Sequence, residues 1–197
     1  MEMLLPIFVS DKLYPMNSTP LKLGLIYGGV SILYSAITYL MGVDVMASWW
    51  VSILCMLILL TLVIVLPLRH RKQAGGYITF KDAFILILTF CAIGSAMLTI
   101  FHILLYNVID AGLAEKIKNI AIEKTISMSE SYNFPQEKTD ELIDKLELLP
   151  QSFAPIGLLK SYLLGIIMSS VLALVVAAFI KKEPPMFNNQ LQDQASA

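Results

Sequence analysis

Four long apolar segments, at about residues 21–43, 47–68, 82–109 and 157–180, decide what this chain can fold into. Crossing a hydrocarbon core of ~30 Å takes about 20 apolar residues in an α-helix, and each segment meets that length. With 57% hydrophobic and only 15% charged residues among 197, the chain falls well below the ~25% charge of soluble domains. The reading is a single all-α domain over residues 1–182, an integral membrane four-helix bundle. A polar tail, Glu183–Ala197, follows it and is expected to be disordered.

The charges between the segments orient the bundle. Arg69, Arg71, Lys72 and Lys81 lie between spans two and three, and Lys181-Lys182 close span four. Loops rich in Lys and Arg stay on the cytoplasmic side, which puts both termini there. Asp44 and a net acidic insert at 110–155 take the opposite side, and Trp49-Trp50 sit where an aromatic belt is expected. The first charge is Glu2 and Pro6 breaks the short run Met3–Val9. A cleaved signal peptide is therefore not expected.

The insert carries nine acidic and five basic residues. Ala111–Ser129 and Pro135–Leu149 read as two amphipathic helices forming an extracytoplasmic hairpin joined at Ser129–Phe134. The stripe Leu142, Leu146 and Leu149 is the candidate surface for a membrane-protein partner.

Small residues spaced by four mark helix faces that can pack closely: Gly24 and Gly28 in span one, Ala92 and Ala96, with Gly94 and Ser95 nearby, in span three, and Gly165, Ser169 and Ala173 in span four. Span one also bears a polar stripe of Tyr27, Ser31, Tyr34, Ser35 and Thr38. Such hydroxyls line a pathway, bond between helices, or bond back to their own backbone. The junction before span three, Thr79-Phe80-Lys81-Asp82, has the spacing of a capping box, so Asp82 reads as a helix-starting residue.

His102, Tyr106 and Asp110 recur every four residues, which places them on one helical face. Histidine titrates near neutrality, so these three are the candidates for a ligand-binding or proton-responsive site. No catalytic residue, metal site or cofactor is assigned. The two cysteines, Cys55 and Cys91, lie in apolar runs, and the few bases give no nucleic-acid footprint. Neither HExxH nor GxSxG nor a phosphate-binding glycine loop is present.

Two stretches carry a family resemblance: Leu21-Lys22-Leu23-Gly24-Leu25-Ile26-Tyr27-Gly28-Gly29, opening span one, and Gly76-Tyr77-Ile78-Thr79-Phe80-Lys81-Asp82-Ala83-Phe84, opening span three. With the order of spans, the helical insert and the closing Lys181-Lys182, residues 20–182 resemble DUF4199, bacterial membrane proteins of unknown function common in Bacteroidota. That family often has Asp-Pro after its third span; here Asp110 is followed by Ala111. The resemblance implies a multi-pass protein of the bacterial inner membrane and no particular activity. The functional expectation is a non-enzymatic scaffold or accessory subunit, in lipid with a membrane-protein partner or as a homo-oligomer. The alternative is a small-molecule or ion transporter or channel acting as an oligomer.

Overall fold

A computed structural model describes residues 18–182. The lead-in with Met3–Val9 and the tail Glu183–Ala197 lie outside the described residues. The elements are α1 (Ser18–Leu40), α2 (Val43–Met46), α3 (Trp49–Gln73), α4 (Phe80–Leu104) with a π-helical turn at Leu105–Ile109, α5 (Leu113–Tyr132), α6 (Gln136–Glu147), α7 (Leu149–Phe153) and α8 (Pro155–Ile180). Four of them, α1, α3, α4 with its π turn, and α8, are long and apolar enough to cross a membrane. The chain is a multi-pass helical membrane protein. Its two ends are called here the hinge end, at the α3–α4 connection, and the insert end.

The central helix is α4, which packs extensively on α1 and on α8. Against α1 the backbones nearly touch. A Cβ on Gly94 would lie 2.9 Å from the Gly28 nitrogen and 3.0 Å from the Gly24 carbonyl oxygen. Gly24 and Gly28 thus pack as their spacing predicted. Their partner on α4 is Gly94, from the small-residue patch expected there; Ala92 and Ala96 lie half-buried on another side, where the Ala92 carbonyl accepts a 3.5 Å bond from Tyr162 of α8. Two residues along a helix turn the side chain by about 200°, so Gly94 serves α1 while Ala92 serves α8.

The predicted face of α8 holds along only part of its length. Ala173 and Ala177 are fully buried. Ser169 is half-buried beside a cavity, and Gly165 has no neighbouring atom within 4 Å of where a Cβ would sit. Regular spacing marks a face that can pack closely; it does not say how far along the neighbour stays in reach.

At the hinge end, Val63, Ile87, Phe90, Ala173 and Ala177 form the buried core. Arg69, Arg71 and Lys72, expected in a loop, belong to the last turns of α3, where positive charge suits the helix dipole. The turn itself needs Gly75 and Gly76, at φ 87° and 86°, a region costly for other residues. Thr79 then caps α4: its hydroxyl accepts from the Asp82 N–H at 3.1 Å and donates to the Asp82 carboxylate at 2.8 Å. The end of α8 is clipped here too. Ile78 and Lys182 exchange two backbone hydrogen bonds of 2.9 Å, and Arg71 Nη1 donates to the Ile180 carbonyl at 2.7 Å.

At the insert end, α5 and α6 form an antiparallel pair joined by Asn133 at φ 52°, with Pro135 just ahead of α6. Leu142 and Leu146 are half-buried where α6 runs along α5, and Leu149 is also half-buried but begins the separate helix α7.

Candidate functional site: a polar-headed cavity inside the bundle

The α1 stripe faces the interior, because Tyr27, Ser31, Tyr34, Ser35 and Thr38 recur at helical spacing. Most of its hydroxyls are already occupied. Ser31 donates to the Tyr27 carbonyl at 2.8 Å, Thr38 to the Ser35 carbonyl at 2.9 Å, and Tyr34 to the Val51 carbonyl of α3 at 2.6 Å. Back-bonding of this kind lets a hydroxyl sit in an apolar surrounding without leaving its hydrogen unpaired.

Ser35 reaches across to α4, with its Oγ 3.0 Å from His102 Nε2. The His102 ring meets the edge of Tyr106, centroids 5.6 Å apart at 71°. Tyr106 in turn stacks on Phe153 of α7, 4.3 Å apart at 30°. The Asn107 amide nitrogen donates to the Phe153 carbonyl at 3.3 Å. A row of side chains therefore runs from α1 through α4 into the insert. Beneath it lies a second buried cluster of Leu105, Tyr106, Leu113, Ala114 and Ile117, flanked by Met46 and Phe153.

Asp110 is not part of this row. The turn Leu105–Ile109 is π-helical and closes with the Asp110 N–H on the Leu105 carbonyl at 2.9 Å. The wider turn rotates the residues after it, and Asp110 instead pairs with Lys116 at 3.0 Å. His102 and Tyr106 come together as their spacing predicted; Asp110 does not join them. Ser35 and Phe153 were missing from the predicted site. The hydroxyl stripe hinted at Ser35, but no local pattern links it to a histidine 67 residues away.

Between α1, α3, α4 and α8 a cavity of about 730 Å³ is left, open to the outside of the bundle past the exposed Met56 and Met168. Toward the insert end it is lined by Tyr34, Ser35, Thr38, His102 and Tyr106, and deeper by Cys55, Met56, Leu59, Leu98 and Leu172. It ends against the hinge-end core, sharing Val63 with it. Among the described residues its lining contains no Asp, Glu, Lys or Arg, and no group of three or more His, Cys, Asp or Glu side chains could hold a metal ion.

A family model described as "Protein of unknown function (DUF4199)" matches residues 22–182. The chain belongs to the DUF4199 family. No curated protein and no solved structure matches it. In this DUF4199 protein the two stretches that carried the resemblance both serve α4. The first contains Gly24 and Gly28, the close contacts of α4, and the second contains Thr79 and Asp82, which start α4.

Proposed function

We propose that this DUF4199 protein is a small non-enzymatic subunit of a membrane complex, in which the insert α5–α7 is the part that meets a partner. The observation that supports this is how the insert is attached. Phe153 stacks on Tyr106, Leu113 and Ile117 share a core with Leu105, and Lys124 Nζ donates to the Asp44 carbonyl at 3.1 Å. An insert held at this many points keeps a fixed orientation on its bundle, as a docking platform requires. Its exposed apolar residues, Met128, Tyr132 and Leu148, supply contact area. The bases at the hinge end support an orientation with both termini in the cytoplasm and the insert on the opposite side, in keeping with a bacterial inner-membrane protein.

The test is affinity purification in mild detergent with mass spectrometry, comparing the natural chain with Met128→Glu/Tyr132→Lys. Removing 111–149 outright would strip Leu113 and Ile117 from the core, so the surface variant is the cleaner comparison. A stoichiometric partner lost only from the variant supports the reading. A homo-oligomer with no partner in either sample overturns it.

The cavity favours a second reading, transport by an oligomer. Within one chain the cavity stops at the core around Phe90, so transport needs a path between copies. Liposome flux that depends on oligomerisation would select it.

A further inference from the structure

Independently of any partner, the cavity has the build of a binding site for a small amphiphile. Its volume of about 730 Å³ lies within the ~300–1,000 Å³ typical of small-molecule sites. Toward the insert end it offers the His102 imidazole and the hydroxyls of Ser35, Thr38 and Tyr106; toward the hinge end Leu59, Val63 and Leu172 predominate, with Tyr27 beside them.

At the polar end two groups are unspent. The Ser35–His102 bond uses Nε2 and leaves Nδ1 without a protein partner among the described residues, and the Tyr106 hydroxyl is in the same position although Tyr106 is only 7% exposed. No sealed-off polar side-chain atom lacks a partner among the described residues, so both groups border open space rather than protein. A buried hydroxyl or ring nitrogen left without a bond in an apolar setting is costly. A ligand that bonds to them recovers that cost.

The lining also selects the ligand's charge. With no Lys or Arg among the lining residues, nothing neutralises a phosphate or a carboxylate in a low-dielectric site. A diacyl phospholipid brings a phosphate that this lining leaves unpaired. We infer that the cavity binds a single-chain amphiphile with an uncharged, oxygen-bearing head, held by His102 and Tyr106, with its chain running toward Val63 and Leu172.

The experiment uses the full chain in phosphatidylcholine nanodiscs and a monoacylglycerol carrying a diazirine near its chain end. Adducts are mapped by mass spectrometry. A phosphatidylcholine with the same photoreactive chain is the comparison probe. The expected result is saturable monoacylglycerol labelling at Cys55, Leu98 and Leu172, competed by unlabelled monoacylglycerol. The phosphatidylcholine probe should label the outer face of α8 around Val175. Ser169→Trp or, from a second helix, Leu98→Trp should reduce cavity labelling to background, and Val175→Trp should leave it intact. His102→Phe should raise the half-saturating concentration about tenfold, the worth of roughly one hydrogen bond, without moving labelling by a headless hydrocarbon probe. Non-saturable labelling, equal labelling of the cavity by both probes, or adducts confined to the outer faces would overturn the inference. Cavity adducts to a second copy of the chain, or to its own residues 1–17, would do so too. The adduct map of the natural chain decides the matter even if the tryptophan variants fail to fold.

Discussion

Phe153 lies flat on Tyr106, ring centroids 4.3 Å apart, and this single stack joins a helix of the insert to a membrane-spanning helix. The joint sits on a π-helical turn, a feature common at functional positions in helices. It places the insert next to the polar end of the cavity, whose lining includes Tyr106.

If the stack is an energetic link, Tyr106→Leu and Phe153→Leu should destabilise non-additively. A double-mutant cycle by thermal unfolding in detergent should give a coupling of about 0.5–1.5 kcal/mol. Additive losses would mean that the rings are neighbours without being partners.

The contact between α1 and α4 leaves no room for a methyl group. Gly28→Ala or Gly94→Ala should each cost about 1–3 kcal/mol, because the obstructing atoms include backbone that cannot rotate away. Gly165→Ala meets nothing within 4 Å and should leave the melting temperature unchanged or slightly raised. Equal effects at all three positions would contradict the close crossing.

The clip at the hinge end depends on a guanidinium reaching a helix-terminal carbonyl. Arg71→Ala should loosen the end of α8 and speed tryptic cleavage at Lys181 and Lys182, which Arg71 and Ile78 hold in place. Arg71→Lys should restore protection only partly, since an ammonium is shorter and presents its donors differently. Cleavage at the natural rate in Arg71→Ala would show that the two backbone bonds suffice.

What the sequence reveals about this protein is set by distance along the chain. Spans, the Thr79–Asp82 cap and the basic ends are local, and hydropathy, spacing and charge expose them directly. Gly24 and Gly28 could be recognised as a packing surface, and Gly94 as part of a small-residue patch, yet spacing could not say that Gly94, rather than Ala92 or Ala96, would meet them. The alignment of Asp110 with His102 fails at one π-helical turn, which has no composition of its own. The stripe Leu142, Leu146 is plain in the periodicity, which is silent on what covers it. The pairing of Ser35 with His102 exists only once α1 and α4 have met.

That pairing is also the most direct thing to measure. The chain has two histidines, His70 near the end of α3 and His102 in the cavity wall, so ¹⁵N-histidine labelling gives two ring systems in an NMR spectrum, assigned by His70→Asn. Ser35→Ala should shift the His102 Nε2 resonance and leave His70 where it was. A spectrum in which neither ring responds to Ser35→Ala would contradict the Ser35–His102 contact, and with it the polar head of the cavity.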